Sequence, residues 1–218
     1  LLEIAISSTP RQRACRFSSV ISAARPANTG ASVSMKAANG ASIGNIYGLA
    51  LALTRANELD EARATLAPLL RNHPGKIAFV IAAADIDLAA GKPQAAALRL
   101  RALLDVNPGN HPLTMAYANA LLRNGRPKDA QRVLVEHSRR KPDDPQVWYE
   151  LAETHGLAGS IIDVHRARAE YFILNGALDL AERQLGYALD LARSDFHTTA
   201  SVQARIADIR EMREEIKL

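Results

Sequence analysis

From Ser42 onward, apolar and small residues return at helical spacing and are interrupted at regular intervals by turn residues. The stretch IGNIYGLALALTRANELDEARATLAPLLRNHPGK reads as helix, turn, helix, stop. Asn57 supplies the turn. Pro74 supplies the stop, because a residue with no N–H cannot continue a helix. The same unit follows as IAFVIAAADIDLAAGKPQAAALRLRALLDVNPGN, with Gly91 at its turn and Pro108 at its stop. It follows again as HPLTMAYANALLRNGRPKDAQRVLVEHSRRKPDD, turning at Gly125 and stopping at Pro142.

The three prolines are separated by a step of 34 residues, and other positions keep that step. Ala50, Ala84 and Ala118 keep it in the first helices; Ala62, Ala96 and Ala130 keep it in the second, with Leu66, Leu100 and Leu134 beside them. A helix–turn–helix unit with this period resembles the tetratricopeptide repeat (TPR). The next segment, Pro145 to Ala158, carries the only tryptophan, Trp148, with Leu151 and Ala152 following. A large wedge, a large apolar residue and then a small one is how the first helix of such a repeat reads. The expected fold is all-α, a TPR α-solenoid of antiparallel helix pairs. One unit cannot bury its apolar face alone, so stacked units share a continuous core and curve around a concave inner surface.

Beyond Trp148 the phase changes. A fourth full unit puts its small second-helix residue at Val164, but the next good match is Ala181, half a period further on, with Gly176 as its turn and Leu185 and Ala188 beside it. The helix Ile161 to Leu174, with Ser160 as its N-cap, is therefore expected to serve two units at once. A last helix over 198–217 has apolar positions at Val202, Ile206, Ile209, Met212 and Ile216, and an outer face carrying Arg205, Arg210, Glu211, Arg213, Glu214 and Glu215. It reads as a C-terminal capping helix. The expected units are 43–76, 77–110, 111–144, then 145–194 with the half-repeat shift.

Composition agrees with packed helices: 48% of residues are hydrophobic but only 5% aromatic, so the apolar content is mostly Ala and Leu. The net charge of +4 resides in residues 1–42, where Arg11, Arg13, Arg16, Arg25 and Lys36 face Glu3 alone. The remainder is balanced and offers no global basic field for nucleic acid. No apolar run is long enough for a transmembrane segment. One cysteine, Cys15, excludes an intrachain disulfide and a multi-cysteine zinc site. Residues 1–42 show no sustained period and read as a disordered or poorly ordered lead-in, although their Ser, Ala and Arg content also suits a transit peptide. A first residue other than Met is what a fragment of a longer protein, or a stretch read ahead of the true coding region, would show.

LAETHGLAG followed by HRARAEYFILNGALDLAERQLGYAL resembles the C-terminal repeats of periplasmic zinc metallopeptidases of Gram-negative bacteria, the β-barrel assembly-enhancing protease family. The resemblance covers roughly residues 43–218. It implies a periplasmic setting, an H-E-x-x-H peptidase domain ahead of the repeats with zinc as its cofactor, and partners among outer-membrane β-barrel assembly components. The chain itself lacks H-E-x-x-H, in which two histidines one turn apart bind zinc around a general base. Its six histidines have no such spacing; His155 and His165, with Glu153 nearby, are the closest pair. No phosphate loop and no G-x-S-x-G occur. Arg99 with Arg101, and Arg139 to Lys141, read as solvated helix faces and ends. No catalytic residue, metal site or cofactor is assigned to this chain.

In the repeat frame the inner surface is lined by four positions of each first helix. These are Tyr47, Thr54 and Arg55; Ile81, Asp85 and Leu88; Met115, Asn119, Leu122 and Arg123; Tyr149 and Glu153; and, from the shared helix, Arg166 and Glu170. The mixture suits a peptide with apolar anchors and a few polar contacts. The alternative is that Tyr47, Met115 and Tyr149 only pack between units. Three functions remain open at this point: a non-catalytic interaction module that holds a protein or peptide, the zinc metalloprotease itself if the natural chain includes the peptidase domain, and a stand-alone TPR adaptor. Removing residues 1–42 should shift the thermal midpoint by less than about 5 °C, roughly 1–2.5 kcal/mol in a domain of this size. A larger fall in a calorimetric scan would make the segment part of the core.

Overall fold

The computed structural model describes residues 42–216. The expectations placed on Cys15, on the basic lead-in and on Lys217 lie outside that range. Ten helices occur among the described residues. They are α1 (Ile43–Arg55), α2 (Leu59–Asn72), α3 (Ile77–Ala89), α4 (Pro93–Val106), α5 (His111–Arg123), α6 (Pro127–Arg140), α7 (Pro145–Ala158), α8 (Ile161–Leu174), α9 (Leu178–Leu191) and α10 (Phe196–Ile216). Consecutive helices pack on one another as pairs, and α3 also packs against α1 and α5. The first helices of units one to three therefore stand side by side.

The turns follow one design. Asn57, Gly91, Gly125 and Gly176 all adopt positive φ, between 63° and 72°. After each, the next N–H reaches back to close the preceding helix: Glu58 to Leu53 O, Lys92 to Asp87 O, Arg126 to Leu121 O and Ala177 to Phe172 O, at 2.8–2.9 Å. That bond satisfies a carbonyl the helix end would otherwise leave bare, and it needs a left-handed residue, hence glycine or asparagine. Proline opens α4, α6 and α7, where its missing N–H costs nothing. Asn110 and Asp144 cap α5 and α7, accepting the N–H of Leu113 at 3.2 Å and of Gln146 at 3.0 Å. Ser160 occupies the N-cap position of α8, but its side chain makes no capping bond, contrary to expectation.

Three buried clusters run along the stack. The first gathers Ala50, Ala62, Leu66, Phe79 and Ile86. The second gathers Ala96, Leu100, Ala118, Leu121, Ala130, Leu134 and Leu151, and reaches Ala167 of α8. The third begins two residues later on the same helix, at Ala169, and joins Ala181, Leu185, Ala188, Val202 and Ile209. Helix α8 therefore has two buried faces, one toward α7 and one toward α9, and links the second core to the third.

Two side chains and one helix start differ from expectation. Trp148 is half-buried rather than central: its ring lies against the second cluster while its Nε1 donates to Pro142 O at 2.7 Å. Val147, beside it, is the fully buried residue. Truncating Trp148 should therefore cost less than the roughly 3–5 kcal/mol of a ring wholly inside a core. Arg99 is not simply a solvated cation; its Nε and Nη2 donate to Asp87 Oδ2 at 3.2 and 3.0 Å. With Arg63 at 3.7 Å from the other oxygen, three helices meet on this buried carboxylate. Last, α10 begins at Phe196 because Asp195 caps it, accepting from the N–H of His197 and Thr198.

The outer face expected for α10 instead folds back on the stack. Arg205 grips Glu170 of α8 with two bonds, 2.9 and 2.7 Å, and Arg213 reaches Asp179 and Glu182 of α9. Arg210 joins Glu182 at 3.0 Å. Replacing Ala169 with Leu should lower stability by about 1–3 kcal/mol, because a methyl-sized contact must then hold an isobutyl group. In a domain of this size that amounts to about 2–4 °C for each kcal/mol. Ala204→Leu, on an exposed position of α10, is the control and should melt like the parent.

Candidate binding surface on the first helices

The 34-residue step carries one position of each first helix to the next, so equivalent side chains form rows across the neighbouring helices α1, α3 and α5, and α7 carries the matching positions. One row holds Tyr47, Ile81, Met115 and Tyr149. Tyr47 is half-buried and meets Phe79, ring centroids 5.4 Å apart. Ile81 and Met115 are half-buried against the second core. Packing between units thus accounts for part of each of these three side chains and leaves the rest open. Tyr149 is exposed, with its ring 5.8 Å from that of Tyr171 on α8, which in turn meets Phe172.

The polar rows are more open. Asn119, Arg55 and Arg123 are exposed. Asp85 is exposed too, yet protein surrounds it closely enough for desolvation to raise its carboxyl above the ordinary value. Thr54 is turned inward, its Oγ1 donating to Ala50 O at 2.7 Å. Glu153 is half-buried and lies 3.4 Å from Arg168, and Arg166 pairs with Asp163 on its own helix at 3.2 Å. Glu170 is taken by Arg205 and is not open to a ligand. Of the charged positions expected in this surface, Arg55, Asp85 and Arg123 are those without a partner close by.

Histidines are arranged as spacing could not foretell. His155 and His165 do not converge. His155 is buried on α7 with Nδ1 unpartnered, beside Thr154, whose Oγ1 is likewise unpartnered. His165 contacts Gln184 Oε1 at 2.8 Å and stacks near Tyr187. The close pair is His111 with His137, Nδ1 to Nε2 at 3.0 Å across α5 and α6, with Asp144 3.6 Å from the same His111 nitrogen. Among the described residues, no group of three His, Cys, Asp or Glu is placed to hold a metal ion.

Two of these rings, His137 and His155, are buried, and desolvation pushes both below the ordinary histidine value. His111 adds to the effect on His137; Asp163 opposes it on His155. The unfolded chain therefore takes up protons first, near pH 6.5. Stability should be full above that pH and fall as pH drops below it, by at most about 1.4 kcal/mol per pH unit for each ring. Thermal scans at pH 7 and 5.5 measure this, and His155→Phe should reduce the difference.

A model of the tetratricopeptide repeat matches residues 87–153. The Beta-barrel assembly-enhancing protease of Escherichia coli (strain K12) is 35% identical over 171 residues, which is 78% of this chain and 35% of that protein. The corresponding protease of Yersinia pestis is 33% identical over 171 residues, again 35% of its length. The chain thus spans 35% of the curated relatives it matches. Among solved structures, MamA 41-end from Desulfovibrio magneticus RS-1 has a TM-score of 0.51 at 16% identity, covering 78% of this chain and 98% of that one. That likeness shows the fold alone. The described residues are a TPR solenoid, a non-catalytic fold of the protein-interaction kind, and similar in sequence to part of those proteases. No helix among them is long and apolar enough to cross a membrane.

Proposed function

We propose that the row of first helices captures an extended peptide or a partner protein, and that it does so as the non-catalytic part of a periplasmic metallopeptidase of outer-membrane protein assembly and quality control. The carrying observation is the alignment of Tyr47, Ile81 and Met115 on the adjoining first helices α1, α3 and α5, with Tyr149 at the same position of α7, each partly open, beside the unpaired Asp85 and Arg123. Apolar side chains in register with charged ones on a neighbouring row give a ligand anchors as well as direction. The identity to the E. coli and Yersinia proteases supports the setting, and makes outer-membrane β-barrel assembly components the partners to try first.

Zinc belongs to the proposed peptidase part. The H-E-x-x-H motif that would hold it does not occur in the sequence of this chain. This chain's share of the work is therefore recognition: it holds the partner while the chemistry occurs elsewhere.

Arg123 is the cleaner probe, because its removal leaves no internal group unpaired. Arg123→Ala and Tyr149→Ala should each weaken capture by about 1–2 kcal/mol, as expected of an Arg or Tyr anchor. Tyr149→Ala should also lower stability by about 0.5–1.5 kcal/mol through loss of its Tyr171 contact. Arg123→Ala should melt like the parent. Pull-down with outer-membrane assembly components, paired with circular-dichroism melts, separates binding from folding. Full-strength capture by both variants would move the partner off this surface.

A further inference from the structure

One frame position is occupied by Ile46, Val80, Thr114 and Trp148 in successive units. In the fourth unit the indole lies over the loop that precedes it, with Nε1 on Pro142 O at 2.7 Å. In the third, the residue is only Thr114, turned back on its own helix with Oγ1 donating to Asn110 O at 2.8 Å. A cavity of about 210 Å³ lies there, against Leu104, Pro108, Thr114, Val133 and His137. Pro108 is one 34-residue step before Pro142, so it stands to this cavity as Pro142 stands to Trp148. One further unit back, a wider hollow adjoins Leu70, Pro74, Val80 and Leu103, which are the same frame positions as Leu104, Pro108, Thr114 and His137. The seat recurs, and the chain places its own indole there only in the fourth unit.

We infer that the cavity over Thr114 receives one aromatic side chain, an indole or a phenol, from a protein partner, seated as Trp148 is seated one unit later. The rim favours a ring over an aliphatic group. Arg101 of α4 and Arg140 of α6 both line it, although they are far apart in sequence. Their guanidinium groups complement the negative face of a π system. At the surface Arg101 pairs with Asp105 at 2.7 Å and Arg140 with Glu136 at 2.5 Å; Arg101 also meets the hydroxyl of Tyr117, which lines the same cavity, and the Arg140 guanidinium lies beside Gly109. Exposed pairs of this kind are weak enough to turn toward a ligand. In the fourth unit the equivalent positions are Val135 and Leu174, both apolar, where the chain supplies its own ring. The charged rim thus accompanies the open seat. Pro108 offers its carbonyl to the N–H or O–H of the incoming ring, as Pro142 does to Trp148. None of Met115, Asn119 and Arg123 lines this cavity, so it is a second surface, independent of the first-helix row.

The test uses N-acetyl-tryptophanamide titrated into the full chain and followed by the amide resonances of Gly109, Thr114 and Val133. Saturable shifts at these residues are expected, with a dissociation constant of about 1 mM, the range open to a single small side chain. N-acetyl-leucinamide should bind at least about fivefold more weakly. Thr114→Trp should abolish the response while keeping the thermal midpoint at or above that of the parent. Arg101→Gln combined with Arg140→Gln changes only exposed side chains; it should weaken the probe several-fold and carries the test if Thr114→Trp does not fold. No saturable shift, an equal response to the leucine probe, or undiminished binding by the double variant would overturn the assignment. So would self-association that Phe196→Ala abolishes and the tryptophan probe competes away, since the occupant would then be a second copy of the chain, whose Phe196 ring is 86% exposed.

Discussion

Everything in this stack depends on helices coming close together at alanine. Ala62, Ala96, Ala130 and Ala181 are wholly buried in second helices, and Ala50, Ala84, Ala118 and Ala152 are nearly so in first helices. A methyl group is the largest side chain that lets two backbones meet at such a contact, and larger residues then interdigitate around it. Because the contact recurs every 34 residues, the helices that carry it are held at a repeating spacing. Residues one position further round the same helices inherit that spacing. The row from Tyr47 to Tyr149 is thus a by-product of the alanine contacts, and its regularity costs no interactions of its own.

The same constraint explains α8. A regular second helix buries one stripe, but α8 presents Ala167 to the core shared with α7 and Ala169 to the core shared with α9. Two small residues separated by one position lie on nearly opposite sides of a helix, so both neighbours can approach closely. The register shift is therefore encoded in two methyl groups. Helix α10 then covers the last face with Val202 and Ile209, while Arg205, Arg210 and Arg213 direct it by gripping acids on α8 and α9. These pairs are partly exposed, so they add little stability; their geometry selects how the helix lies.

The periodic part of this architecture was legible in advance because period is a property of one chain read along its length. The limits of α7 and α8 follow from Pro145, Gly159 and the turn at Gly176, and the left-handed turns follow from glycine and asparagine. Contacts between helices were not legible in the same way. Nothing in the spacing of His111 and His137 announces that their rings meet, and nothing along α3 marks Asp87 as the carboxylate that Arg63 and Arg99 share. The misplaced start of α10 has a simpler cause: Asp195 is an ordinary capping residue, passed over because the apolar stripe begins later. The expected binding positions came from the frame alone, which sets where a side chain sits but not what it pairs with. Hence Arg123 and Asp85 stay open while Glu170 is consumed by Arg205.

Repetition also makes departures from the pattern informative. When one frame position is filled by isoleucine, valine, threonine and tryptophan in turn, the backbone around it stays nearly constant and only the side-chain volume changes. A constant mould with a varying fill leaves hollows where the fill is small, and the hollows at Val80 and Thr114 are of this kind. Hollows that expel water poorly and stay unfilled are costly to a core, yet these lie at its edge, where solvent can enter and leave. A stack can therefore vary the size of the residue beside each hollow while the alanine contacts stay as they are. Side chains of the first-helix row are partly built into the core, so changing them tests packing as well as binding. The frame position of Val80 and Thr114 is itself buried, so what varies there is side-chain volume, and with it what the adjoining hollow admits.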